Sequence, residues 1–307
     1  MNHNLTRGLL VGVVVAAILI GHGTRALAQV PLTIEELDAA YTSSEDPEMT
    51  LYATFLKSGD KPKSILVYLP GWHGNRRYLY RDLRNNEFML DRFFLVTADM
   101  RGRGAKGNKP FGGTPDTGFH GTLPDGPVSG GRPDANGWEL NDVVDAAEFA
   151  KKRYSTHTLD DPVYTIGHSG GGGNVMGLVG KFPDYFSGAY AGSGMSDYGE
   201  WARLTGWRSS IEKWVGAKLA EKPDAFRSRG GLTTSLNRLT PIALSHGDKD
   251  TSVPHVLSQM YVDKNRELGK PVPFKLVKGA GHGVWGHYEE IIEFITRHKQ
   301  PPVLAET

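Results

Sequence analysis

Val163-Tyr164-Thr165-Ile166-Gly167-His168-Ser169-Gly170-Gly171-Gly172-Gly173-Asn174 is the stretch on which the reading of this chain turns. An apolar, β-rich run enters Gly167-His168-Ser169-Gly170-Gly171, the pattern G-x-S-x-G of a strand, a sharp turn and a helix. A serine at the apex of such a turn sits in a strained backbone conformation with its hydroxyl thrust outward. Side chains at Gly167 and Gly171 would collide with the adjoining strand and helix, so residues without Cβ suit both places. The helix that starts after Ser169 turns free N–H groups and a positive dipole end toward charge developing near the hydroxyl.

Working outward, buried strands are expected at 65–69 and 93–98, further strands at 163–166, 186–191, 241–245 and 272–277, and an alternating strand at 49–57. Helices are expected at 138–154, 172–181, 256–268 and 288–296, and Thr33 with Glu36 reads as a capping box opening a short helix. Alternation of strand and helix predicts an α/β fold with a mostly parallel, doubly wound sheet. The segment 195–238 breaks the alternation, with helices near 200–204 and 210–220, and reads as a small cap-like insertion. Its Trp201, Trp207 and Trp214 either roof the serine or anchor the segment to the body. These three are candidate pocket residues, as is His168, which flanks the serine although pointing away from it.

A serine hydroxyl needs a base within hydrogen-bond reach, and the base needs a carboxylate to hold its tautomer. Ser169, an acid after a late strand and a histidine after the last strand follow the chain order of the α/β-hydrolase arrangement. Each lies just past the carboxyl end of an expected strand, and in a parallel sheet those ends share one edge. His282, between glycines after the last strand, is the candidate base, ahead of His287 and His168. Asp248 and Asp250 both satisfy the order. The turn Pro70-Gly71-Trp72-His73-Gly74 comes after an earlier strand. It offers the N–H of Trp72 as one oxyanion donor, the N–H of Gly170 being the other.

Other features bound the setting. Residues 1–28 read as an export signal: Arg7, an apolar run over 8–21, and Ala26-Leu27-Ala28 as the cleavage site. The run is shorter than the about 20 residues a membrane span needs. The mature chain, 29–307, is expected to be one domain, periplasmic or secreted. Taking the two arginines of the signal from a net charge of +1 leaves −1, which offers no basic footprint for nucleic acid. There is no cysteine, which excludes disulfides, thiolate nucleophiles and cysteine-bound metals. The loop 101–137 holds eleven glycines. It leaves the ligand edge of the sheet, so Arg101, Phe111, Phe119 and His120 are candidate crevice residues.

His246-Gly247-Asp248-Lys249-Asp250-Thr251-Ser252-Val253-Pro254 resembles the H-G-x-x-D-x-x-V-P segment of the prolyl oligopeptidase family, whose catalytic aspartate matches Asp250. Gly279-Ala280-Gly281-His282-Gly283 is similar to that family's catalytic histidine segment, and 167–171 to its nucleophile turn. The resemblance implies an eight-stranded α/β-hydrolase sheet, a Ser169–His282–Asp250 triad, no cofactor or metal, and hydrolysis through an acyl-enzyme. Large members carry an N-terminal β-propeller, for which this chain has no room. The expectation is therefore an open site cleaving a small ester, with short peptides as the alternative. A protein that binds without reacting is the reading from a different class.

Overall fold

The expected apolar runs become strands of one sheet in the computed structural model, which describes residues 31–72, 74–77, 87–104, 126–284 and 286–300. The export segment and the candidates Phe111, Phe119 and His120 lie outside the described residues. The strands are β1 Leu32–Thr42, β2 Thr50–Ser58, β3 Lys63–Leu69, β4 Phe93–Asp99, β5 Thr158–His168, β6 Gly188–Gly192, β7 Ile242–Gly247 and β8 Phe274–Val277. They form an eight-stranded sheet in the order β1-β2-β4-β3-β5-β6-β7-β8. β2 runs antiparallel to both its neighbours, and every pairing from β4 to β8 is parallel. The fold is that of an α/β hydrolase.

The central parallel strands are largely apolar because helices cover both faces, whereas the edge strand β8 leaves Lys275 and Leu276 exposed. Every residue of β4 and β7 is buried. On one face α2 (Glu139–Arg153), α3 (Gly170–Lys181) and α7 (Val256–Glu267) pack Val143, Val175, Leu178 and Tyr261 against Val67, Val96 and Leu244. On the other, α1 (Glu87–Arg92) and α8 (Tyr288–Thr296) bring Met89, Leu90, Ile291 and Ile295 onto Leu66, Leu95 and Ile166. A third cluster lies over the carboxyl ends of the strands. It is built from α4 (Tyr198–Leu204), α5 (Arg208–Val215) and α6 (Pro223–Arg227) and includes Trp72, Trp201, Ile211 and Phe226.

The expected first helix does not form. The Thr33–Glu36 capping box starts no helix, because 32–42 is strand β1, paired along its length with β2. Both side chains of the box are used elsewhere. Thr33 Oγ1 donates to the carbonyl of Gly59 at 3.0 Å, and Glu36 accepts from Arg153 at 2.9 Å. Pairing of eight β1 residues with β2 outweighs a local motif worth about 1 kcal/mol.

Arg101 also departs from expectation. It walls no crevice: its guanidinium lies inside, donating to Asp142 Oδ1 at 2.6 Å and Oδ2 at 3.0 Å. Together with Arg103–Glu139 at 2.9 Å, this pair ties the strand end of β4 to α2. Asp142→Ala would strand the buried guanidinium of Arg101. The expected loss is about 3–5 kcal/mol of unfolding free energy by chemical denaturation; a change within experimental error would mean that water reaches the pair.

Candidate active site

Four loops leave the carboxyl ends of β3, β5, β7 and β8, and bring Trp72, Ser169, Asp250 and His282 to one place. Ser169 has φ 57° and ψ −122°, a region a non-glycine residue occupies only under constraint. The constraint is visible in the flanking glycines. A Cβ on Gly167 would stand 2.4 Å from the carbonyl oxygen of Gly171, and one on Gly171 would stand 2.1 Å from that of Leu69. The turn is clamped by hydrogen bonds from Ser169 N to Gly192 O at 2.8 Å and from Gly173 N to Ser169 O at 3.0 Å.

Ser169 occupies the N-cap position of α3, where a serine oxygen ordinarily accepts from the helix. Here it makes no such bond. Its hydroxyl lies instead 2.9 Å from His282 Nε2. His282 Nδ1 lies 2.7 Å from Asp250 Oδ2. With the carboxylate ionised, Nδ1 carries the proton and Nε2 is left to accept from Ser169. Asp250 Oδ1 accepts from the N–H groups of Ser252 and Val253, both at 2.9 Å. Burial alone would raise the Asp250 pKa. Hydrogen bonds from His246, His282 and Val253 N outweigh it and hold the carboxyl well below the usual range. Asp248, the competing acid, is turned aside and accepts from Gly279 N at 2.6 Å. Among the described residues no group of His, Asp and Glu side chains converges as metal ligands would.

The backbones of residues 72 and 170 meet beside the hydroxyl. A Cβ on Gly170 would lie 2.7 Å from Trp72 N, and one on Gly71 would lie 3.9 Å from Ser169 Oγ. Gly170 is the first residue of α3, so its N–H has no acceptor within the helix. A cavity of about 280 Å³ opens here, lined by Trp72, Ser169, Trp201, Trp207, Ser252, Val253 and His282. Trp201 and Trp207 are thus wall residues, as one reading of the sequence expected. Trp201 also anchors, since its Nε1 donates to Ser252 O at 2.9 Å. Trp214 stands behind the wall: its ring packs on Trp72 at 4.8 Å and lies under the Arg103 guanidinium at 4.6 Å. His168 is absent from the lining. Its ring lies 5.2 Å from that of His282, and it hydrogen-bonds the His282 backbone. Sequence reasoning passed over Ser252 and Val253 as wall residues, and gave His246 no part beyond its place in a motif.

The prolyl oligopeptidase family model matches residues 129–299, more than half of the 307-residue chain. The chain belongs to the prolyl oligopeptidase family. Solved structures agree on the fold. An acylaminoacyl peptidase of Pyrococcus horikoshii has a TM-score of 0.66 at 16% identity, over 90% of this chain and 44% of that one. A puromycin-hydrolyzing peptidase of Mycobacterium tuberculosis gives 0.60 at 17%, over 85% and 37%. Dipeptidyl peptidase 4 of Porphyromonas gingivalis gives 0.64 at 11%, over 88% and 36%. The chain therefore spans less than half the length of each of these. No curated protein matches the chain in sequence.

Burial, with the His282 ring second, pushes the His168 pKa down to about 4 from 6.5. The unfolded chain thus takes up a proton at this residue before the folded chain does. Stability should fall as pH drops from about 6.5 toward 4, and fall less in His168→Gln. Urea midpoints across that range check this; identical slopes in the two proteins would exclude His168 as the source.

Proposed function

We propose that this chain is a serine hydrolase in which Ser169 attacks a carbonyl carbon, His282 takes the hydroxyl proton, and Asp250 orients the ring and stabilises the imidazolium. The observation that carries the reading is the unbroken run of hydrogen bonds from Ser169 Oγ through His282 to Asp250, at 2.9 and 2.7 Å. The strained backbone at Ser169 supports it, since such strain survives where function needs it. In the proposal the N–H groups of Gly170 and Trp72 hold the oxyanion, from positions at the start of α3 and beside it. His282 then returns its proton to the leaving group, and water, activated by the same ring, releases the acyl group. No cofactor enters the scheme.

The substrate proposed is a short peptide or amide carrying a bulky apolar group. Trp72, Trp201 and Trp207 wall the cavity at the serine, and among the described lining residues only His282 can carry charge. An ester was the first expectation, argued from easier alkoxide departure. The solved relatives are named as peptidases, which favours the amide bond, and esters remain substrates of the same machinery. Export of the enzyme, with Gln29 as its first residue, completes the proposal; N-terminal sequencing of protein recovered from its source checks it.

Ser169→Ala should lower turnover of any substrate by several orders of magnitude with the fold intact, because the three residues act as a unit. A loss of only a few fold would refute the assignment. On anilide substrates, Trp207→Ala should lower kcat/KM about tenfold or more for a phenylalanyl group and little for an alanyl group. Equal losses on both would remove the cavity from substrate binding.

A further inference from the structure

Asp250 serves two histidines. His246, at the end of β7 and fully buried, places Nε2 at 3.1 Å from Asp250 Oδ2, the oxygen that also faces His282 Nδ1 at 2.7 Å. The same Nε2 lies 2.7 Å from the carbonyl oxygen of Val253. Both neighbours of Nε2 are acceptors, so Nε2 carries a proton. On the other side of the ring, Nδ1 lies 2.7 Å from Ser258 Oγ, which is 3.2 Å from Gly194 O. The ring is neutral if the Ser258 hydroxyl donates to Nδ1, and charged if that hydroxyl donates to Gly194. In both cases Nε2–H points at Asp250.

We propose that His246 is a positioning residue that shares Oδ2 of Asp250 with His282 and thereby limits how strongly the carboxylate stabilises the imidazolium of the base. The geometry has two consequences. Oδ1 is held by two N–H groups and Oδ2 by two imidazoles, so each oxygen has both acceptor directions filled and the carboxylate cannot turn. The second donor also draws charge from the oxygen that His282 depends on, in a site where the Asp250 side chain is wholly buried and such bonds are strong. Removing it leaves Oδ2 more negative, so the carboxylate holds the His282 imidazolium more strongly.

The titratable groups in the cluster are Asp250 and His246 from β7 and its loop, His282 from the loop after β8, and His168 at the end of β5. The contacts to the His246 ring from α7 and the 192–194 turn are neutral, a hydroxyl and the carbonyl behind it. His168 hydrogen-bonds the His282 backbone, and the Asp250 charge only partly offsets the burial that lowers the His168 pKa to about 4. The two rings that meet at Oδ2 are those of His246 and His282.

This inference rests on the proposed triad, and the experiment separates the two. The kcat/KM of the full chain is measured against pH for the parent protein, His246→Leu and His246→Gln, with the urea midpoint of each. Leucine removes the donor; glutamine keeps an N–H in reach of Oδ2. The acid limb should move to higher pH by about one unit in His246→Leu, the scale of one hydrogen bond to a charged group. It should move by less than half of that in His246→Gln, although both variants lose stability. Destabilised variants with unmoved acid limbs would overturn the inference and leave the triad standing. If His246→Leu does not fold, the glutamine variant decides alone, through the proton resonance of His282 Nδ1–H. That resonance should shift when the shared donor is weakened, and an unshifted resonance would also overturn the inference. Ser169→Ala with undiminished activity would instead bring down the triad on which both stand.

Discussion

The close approach of α3 to β3 is the constraint on which the site depends. Residue 171 lies so near the strand that a methyl group there would meet the Leu69 carbonyl at 2.1 Å. That approach admits only glycine, shortens the turn, and drives Ser169 into a positive φ. The same turn removes the serine oxygen from its usual place as a helix cap and directs it at His282. Strain at one residue is thus held by packing across two elements, and a looser turn would release the hydroxyl to the helix end.

Sheet topology supplies the rest. β3, β5, β6, β7 and β8 are successive parallel neighbours, so the loops after them open on one edge. Ser169, Asp250 and His282 are far apart along the chain but only a few strands apart in space. The antiparallel pair β1 and β2 stands outside this arrangement and carries none of the four site residues. The cap-like helices α4 to α6 close the edge with their own apolar cluster, and Trp201 joins the two parts through its bond to Ser252.

Much of this was legible in the sequence because it depends on local chemistry. Unbroken apolar runs marked the covered strands, and glycines around Ser169 and His282 marked tight turns. What was illegible depended on partners distant in sequence. Thr33 and Glu36 have the spacing of a capping box, yet pairing with β2 decides their backbone. Arg101 sits in a polar, glycine-rich segment, and only the buried Asp142 shows that its charge is consumed in the core. Asp248 and Asp250 could not be separated by order alone; the resemblance favoured Asp250, and in the structure Asp250 is the one that meets His282 Nδ1. His246 offered one unused signal, a histidine four residues before the acid at the end of a buried strand. The tryptophans divide for a geometric reason: Trp201 and Trp207 face the cavity, while Trp214 supports Trp72 from behind.

The central claim is that the hydroxyl at 169 is made nucleophilic by its neighbours. Reaction of the folded protein with a fluorophosphonate, then peptide mass spectrometry, tests it without knowledge of the substrate. The account predicts a single adduct, on Ser169, formed far more slowly when His282 is replaced by alanine. Absence of an adduct on the folded protein, or an adduct on another serine with Ser169 untouched, would contradict it.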